Sequence, residues 1–389
     1  MEKVMAGRSP DWLMAAKPYS DVNEYASLNA PREILGDFLH AQTLEKIKAM
    51  RDAGVHVNTL AANVDRIEPC ANGLKFITTD NQTIDATSVD VATGGPKNQR
   101  FEGDDGKYSF SELFGNESHI LEMLKLGGSV VCIGASAAML DCLRFCQSVQ
   151  PESQINFTAI NSTGNTLTAL RPALTFNPTQ YNITNTFEGA AEFLSAITQL
   201  QRQAIAAGDT FYETRVGLRS LFMNRSLTQL VPNITEARKV SNPLFKFFEG
   251  GTRDSVDDFK RLEQLDQTRS LAGRVQHIEQ HKELACVHYH DASGQQQTIN
   301  ANVVVNCAGP GSDNQFDSLT NEMLANGWIA ICEQSGGILV GEGGQTKVSG
   351  LRYLGPAVTS IGDSVEPVPL YDAFRLKQAV RRLNHYNQD

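Results

Sequence analysis

Two stretches of the chain alternate apolar and polar positions with the period of a half-buried strand, and they do so in the same order. Residues 60–69 (LAANVDRIEP) align without a gap with residues 271–280 (LAGRVQHIEQ), and Leu, Ala, Val, Ile and Glu recur at matching places. After each copy the chain has a second alternating segment, a polar turn (Asp80-Asn81 in the first, 291–294 in the second) and a short third segment. Each then ends in an apolar, β-branched run that closes on small residues, VDVATGG (89–95) and VVVNCAGPG (303–311). A period of two predicts a β-meander, and the apolar run predicts a parallel strand buried on both faces. Glycine at a strand end suits a place where backbone approaches a ligand or crosses to another domain.

Residues 129–145, SVVCIGASAAMLDCLRF, follow a different grammar: an apolar run, a small-residue turn, then helical spacing. This is how a chain prepares to hold a phosphate. Gly134 permits a tight bend, and Ala135, Ser136 and Ala137 leave the N–H groups of a helix start open to an anion. Ser136 stands where a second glycine is usual and Met139 fills the third small position, so the pattern is weakened. It fits a nicotinamide dinucleotide site, and it fits equally a strand-turn-helix that packs well and binds nothing tightly. At the end of the next strand, INFTAINSTGN (155–165), the acidic residue that would hold a ribose is missing. Asn161, Ser162 and Thr163 offer neutral donors there, which do not choose between NADH and NADPH.

Elsewhere the pattern predicts helices. Residues 31–53 form an amphipathic segment with Pro31 at its start and Gly54 after its end, and a strand is expected at 55–60 (VHVNTL). Further helices are expected at 190–208 and 256–273, each closed by its last glycine, and at 370–386. Residues 1–30 read as loop with short helix.

Composition narrows the class. With 389 residues, 41% hydrophobic and 20% charged, the chain is of the soluble globular type with two or three domains. A net charge of −10 and the lack of any basic run argue against a nucleic-acid partner. Seven scattered cysteines without a CxxC argue against a disulfide framework or zinc ribbon and favour a reducing compartment, with the cytoplasm expected. Cys142 and Cys146, four apart on a helix, read as core packing. His288-Tyr289-His290 puts two imidazoles on one strand face, but no third ligand stands near in sequence, so no metal is expected. No signal peptide or membrane span is read.

Two such units, the second inserted in the first, resemble the flavoproteins with two dinucleotide-binding domains. The chain resembles in particular a poorly characterised bacterial group of FAD/NAD(P)-binding proteins, distantly similar to the flavin N-hydroxylating monooxygenases. The likeness rests on VMAGR (4–8), REILGDFL (32–39), Ala92-Thr93-Gly94, GASAAMLD (134–141), VVNCAGPGSD (304–313) and LRYLGP (351–356) with Val368-Pro369. It implies an α/β fold of two Rossmann-like domains, each with a β-meander. Residues 1–115 would be the first part of an FAD-type domain. Residues 116–300 would be an NAD(P)-type domain with a helical insertion at about 166–269, and residues 301–389 the second part of the FAD-type domain with a C-terminal helix.

The resemblance implies FAD and NAD(P)H as cofactors. Val64 would offer backbone groups at the adenine edge. Thr93, Gly94 and Gly95 would lie beside the pyrophosphate of FAD, and Gly355 and Pro356 along its ribityl chain. Pro369 would aim a helix N-terminus at the isoalloxazine. The nicotinamide dinucleotide would take Gly134, Ala135, Ser136 and Ala137. Hydride would pass from nicotinamide to flavin and on to oxygen or another acceptor, with an unspecified small-molecule substrate. No catalytic side chain is assigned, because the cofactors carry such chemistry. The group's N-terminal GxGxxG segment, the opening βαβ piece of the first domain, is not found in the sequence. That leaves three readings: a fragment, a partner chain that supplies the turn, or lost flavin binding. The alternative function is a non-enzymatic binding or interaction protein on a degenerate scaffold.

Overall fold

The computed structural model describes residues 32–98, 100–125, 127–169, 175, 186–218, 221, 225–245, 247, 250–309, 316–355 and 357–365. The chain divides into two units, Met1–Asn63 and Val64–Asp389. Pro356, Pro369 and the expected helix at 370–386 lie outside the described residues, as do residues 4–8.

In the first unit, α1 (Arg32–Asp52) is one helix of 21 residues. Gly54, at φ +86, ends it in the left-handed conformation that only glycine adopts freely. The strand expected at 55–60 does not form: residues 55–63 are irregular. The Arg51 guanidinium donates to the Val57 carbonyl at 2.8 Å, which takes an acceptor that a strand would need. Val55 and Leu60 remain exposed. No strand among the described residues pairs with this segment.

The second unit opens with β1 (Val64–Cys70), β2 (Gly73–Thr78) and β3 (Thr83–Ala86), an antiparallel meander. There follow β4 (Val89–Val91), β5 (Ser109–Phe110), α2 (Glu117–Leu124), β6 (Ser129–Ile133), α3 (Ala137–Val149) and β7 (Asn156–Asn161). A helical stretch carries α4 (Ala190–Ala206), α5 (Phe211–Leu218), α6 (Ile234–Phe245) and α7 (Arg253–Gln264). The second meander is β8 (Thr268–His281), β9 (Leu284–Asp291) and β10 (Gln296–Ala301), and β11 (Val303–Asn306) comes after it. The described chain closes with α8 (Ser318–Ala325), β12 (Ala330–Ile331), β13 (Ile338–Val340), β14 (Leu351–Tyr353), β15 (Val358–Ile361) and β16 (Ser364–Val365).

The repeat in the sequence is a repeat in space. Both meanders are antiparallel, and each carries a bulge at the matching place, between Val64 and Arg66 in β1 and between Val275 and His277 in β8. Each feeds a buried parallel strand: β4 pairs with β14, and β11 lies between β5 and β6. A seven-stranded sheet runs β10-β9-β8-β7-β6-β11-β5, in which β8 pairs in parallel with β7 along its first residues and antiparallel with β9 along the rest. Burial of Val130, Cys132, Phe157, Val303 and Val305 against α2, α3 and α7 forms one face of that core, and Val131, Ile133, Ile160, Val287 and Val304 form the other. The unbroken apolar runs Val130–Ile133 of β6 and Val303–Val305 of β11 are what a strand covered on both faces requires. A separate core joins Ile67, Leu74, Val89, Val91, Leu319, Met323 and Tyr353.

One expected helix is shorter than its pattern. The 256–273 segment is helical only to Gln264, where Asp266 turns at φ +57. From Thr268 the chain is strand, because the edge of β7 is open to it there. Gly273 is no helix cap: it sits within β8, where an added Cβ would meet the Tyr289 ring at 2.5 Å. Gly208 does close α4, at φ +104.

Candidate functional site

The turn from β6 into α3 lies where strand order reverses. β7 follows on one side of β6, while β11 lies on the other, and such a switch point at the carboxyl ends of parallel strands is where open α/β sheets form a crevice. Gly134 takes φ +102, and a Cβ there would stand 2.7 Å from the backbone of Cys307 and Ala308. Its N–H donates to the Ile160 carbonyl at 2.7 Å. Glycine is therefore required by the crossing of the chain over β11, whatever else the turn does.

Ser136 is the N-cap of α3. Its hydroxyl oxygen accepts from the Ala138 N–H at 3.2 Å, and its O–H donates to the Cys307 carbonyl at 2.6 Å. The residue that departs from the glycine fingerprint thus ties the turn to the end of β11. Ala135 and Ala137 are half-buried beside it, and Met139 is fully buried in the core below. Cys132, Cys142, Cys146 and Cys307 pack in this same core, which agrees with their reading as apolar filling. Burial, and then the neighbouring Cys142 thiol, push the Cys132 thiol well above its ordinary value, so it stays protonated at neutral pH.

At the end of β7, Asn161 turns its side chain onto its own loop. Its Oδ1 accepts from the Thr163 N–H and hydroxyl and from the Gly164 N–H at 2.9–3.0 Å, and its Nδ2 donates to Asn165 O and Ser270 Oγ. Of the neutral donors that the sequence offered for a ribose, Asn161 and Thr163 are engaged in this turn.

The second strand end joins β4, β14 and α8. Asp317 caps α8 through a hydrogen bond from the Thr320 N–H at 3.0 Å. Thr320 Oγ1 donates to Asp317 Oδ2 at 2.6 Å and Thr93 Oγ1 donates to the same oxygen at 2.8 Å. Partial burial alone would raise the Asp317 carboxyl, but the hydrogen bonds from Thr320 and Thr93 outweigh it and hold the group below its ordinary value. Tyr353 is fully buried at the end of β14, and its hydroxyl faces the Thr93 and Thr320 side chains without a well-formed hydrogen bond among the described residues. Burial raises its pKa. A Cβ on Gly355 would meet that hydroxyl at 2.5 Å. Thr93 and Gly355, far apart in sequence, are thus brought to one place.

Gly94, at φ +98, has nothing within 4 Å of an added Cβ, and Gly309, after β11, repeats both properties at φ +83. Each meander unit thus ends in a left-handed glycine with room beside it among the described residues. Gly95 is exposed beside Gly94, and Val64 is 37% exposed at the bulge of β1. Asp317, Thr320 and Tyr353 were not singled out from the sequence. An Asp three residues before a Thr at the start of an apolar run is a cap signal that pointed to the first two.

Residues 10–96 match the family model described as FAD-NAD(P)-binding. No curated protein matches the sequence. Among solved structures, the chain is similar to the ornithine N-hydroxylase of Kutzneria sp. 744, which was solved with reduced FAD, NADP+ and L-ornithine, at 10% identity and a TM-score of 0.51, over 96% of this chain and 82% of that one. The reduced ornithine hydroxylase of Pseudomonas aeruginosa matches at 12% identity and a TM-score of 0.49, over 97% and 84%. Thioredoxin reductase of T. acidophilum matches at 14% identity and a TM-score of 0.43, over 82% and 72%. Residues 10–96 are thus similar to an FAD-NAD(P)-binding family, and the chain shares its Rossmann-type α/β fold with the Kutzneria N-hydroxylase.

Proposed function

We propose that the protein is an FAD- and NAD(P)H-linked oxidoreductase, with the flavin along the ends of β4 and β14 and the nicotinamide dinucleotide over the β6–α3 turn. The observation that carries this reading is the pair of left-handed glycines, Gly94 and Gly309, that end the two repeated units and, among the described residues, leave room beside the backbone. The match at residues 10–96 and the likeness to the Kutzneria N-hydroxylase, solved with FAD and NADP+, support it.

The residues fit the two groups unequally. On the flavin side, Gly94 leaves a cradle open among the described residues, and the Tyr353 hydroxyl and the Thr93–Asp317 pair supply polar groups at the same strand ends. On the nicotinamide side, the start of α3 offers a positive helix end to a pyrophosphate, and Ser136 limits how closely it can approach. When bound, FAD and NAD(P)H supply hydride transfer, and the acceptor beyond flavin is oxygen or a small molecule. The protein's own part is to hold and orient. Asp317 keeps a negative charge fixed near Thr93, and the apolar walls of β4 and β14 exclude water.

The test is direct. The purified protein titrated with FAD should give saturable binding by calorimetry, and the loaded protein should oxidise NADPH or NADH at a rate that free FAD does not reach. A protein that neither binds FAD nor melts at a higher temperature with it would overturn the proposal. A second reading, a binding scaffold without turnover, is favoured by Ser136 in the phosphate turn and by the self-satisfied Asn161 loop. FAD binding without any NAD(P)H oxidation would support that reading instead.

A further inference from the structure

The second meander carries donor side chains that the first does not. On β8 and β9, His277 stands opposite His288 and Glu279 opposite Cys286. The bulge between Val275 and His277 sets this register. A ring nitrogen of His277, one of His288 and a carboxylate oxygen of Glu279 all lie within 4.8 Å of one another. The two imidazoles are stacked, with centroids 4.3 Å apart and planes 10° from parallel. His288 Nε2 is 3.0 Å from Glu279 Oε1 and 3.5 Å from Cys286 Sγ, while its Nδ1 is 3.5 Å from Thr298 Oγ1.

We propose that His277, Glu279 and His288 bind a divalent transition-metal ion, zinc by the chemistry of the donor set, with Cys286, whose thiol stands beside His288 but outside that group of three, turning in as fourth ligand. Two nitrogens, one carboxylate oxygen and one thiolate make a set that zinc accepts in tetrahedral form. Bond lengths of about 2.0–2.1 Å to nitrogen or oxygen and about 2.3 Å to sulfur place tetrahedral ligands roughly 3.4 Å (N to O) and 3.6 Å (N to S) apart. The contacts around His288 Nε2 are within half an ångström of these. Thr298 is placed to orient the imbalance of the ring by engaging the nitrogen that does not face the other donors, as partners of ligating histidines do.

The first meander serves as an internal comparison. At the positions that match His277 and Glu279 it has Arg66 and Glu68, joined by an ion pair at 2.9 Å. Opposite them it has Ile77 and Lys75 where β9 has His288 and Cys286. The meander therefore folds with none of the metal-ligating side chains except the glutamate, so the histidines and the thiol are not needed to build it. The ligand strand is also held in place: the Ile278 N–H donates to the Glu102 carbonyl at 2.8 Å, and Gly103 at φ +82 presses so close to Ile278 that no side chain fits there. A site on rigid strands loses less entropy when it closes on an ion.

The experiment uses the full chain with Cys70→Ser, which removes the exposed thiol, after treatment with a chelator. Calorimetry with Zn2+ should give one ion per chain, and Zn2+ should raise the melting temperature. Cobalt should give the intense visible bands of a tetrahedral site together with a thiolate-to-cobalt charge-transfer band, and Cys286→Ala should remove that band. Glu279→Gln, His277→Ala and His288→Ala should each weaken Zn2+ at least tenfold. Melting of each variant in chelator checks its fold, and if His288→Ala does not fold, the exposed Glu279→Gln decides alone. No saturable Zn2+ binding, or binding unchanged by Glu279→Gln, would overturn the proposal. Retention of the cobalt charge-transfer band in Cys286→Ala would remove the cysteine from it.

Discussion

The hydroxyl of Ser136 performs two tasks that a glycine at the same place would not, and this gives a prediction with opposed signs. Ser136→Ala removes the acceptor that caps α3 and the donor that holds Cys307 O. Loss of a serine N-cap costs about 1 kcal/mol, and loss of a half-buried hydrogen bond costs about 1 kcal/mol more. The sum, about 2 kcal/mol, should lower the melting temperature by roughly 2–3 °C in a chain of this size. Ser136→Gly loses the same Cys307 bond, but glycine is a tolerable cap, so the cost is about 1–1.5 kcal/mol. It also removes the Cβ that stands in the way of a pyrophosphate. Ser136→Gly should therefore be less stable than the parent and yet bind NAD(P)H more tightly, while Ser136→Ala should be less stable with no gain in affinity. Thermal melts by circular dichroism and calorimetric titration with NADPH and NADH measure both sides. If Ser136→Ala melts with the parent, the role of the hydroxyl is wrong; if Ser136→Gly binds no better, the turn does not meet a phosphate.

Three further outcomes follow from the same geometry. Gly134→Ala should cost at least about 2 kcal/mol from its left-handed φ alone, and the collision with the backbone at Ala308 should add to that, so low soluble yield and a depressed melt are expected. The Asp317 carboxyl titrates below its unfolded value, so its contribution is fully present above the ordinary carboxylate pKa and is lost as pH falls through the folded value. Asp317→Asn should therefore be close to the parent at acid pH and less stable than it at neutral pH, as melts across that range would show. Of the seven cysteines only Cys70 is exposed, so a thiol reagent should modify one group rapidly in the native protein and all seven in denaturant.

Local signals in the sequence reach as far as local structure does. The two meanders were legible because period-two alternation and β-branched runs are written within single strands. The end of α7 was not, since the helical pattern runs on past Gln264 and only the open edge of β7 turns Thr268–Ala272 into strand. A strand at 55–60 was expected from β-branched residues, but no neighbouring strand among the described residues pairs with it. The role of Gly134 was only half legible. A fingerprint glycine reads as room for a phosphate, whereas here its missing Cβ makes room for the backbone of Cys307 and Ala308, just past a strand from much later in the chain. His288 was paired in sequence with His290, its neighbour two residues on, but the register of β8 and β9 gives it His277 and Glu279 instead. Cross-strand neighbours depend on a bulge, and a single-residue bulge leaves no mark in composition or period.

β8 belongs to two pairings at once, with β7 at its start and β9 over the rest of its length. A strand shared in this way couples the β7 side of the sheet to the hairpin beyond it, so the two are expected to open together. In amide exchange they should form one cooperative block. Anything that tightens the far end of the hairpin therefore protects the Asn161 turn at the near end, and a surface of the protein remote from the β6–α3 crevice acts as a handle on its stiffness.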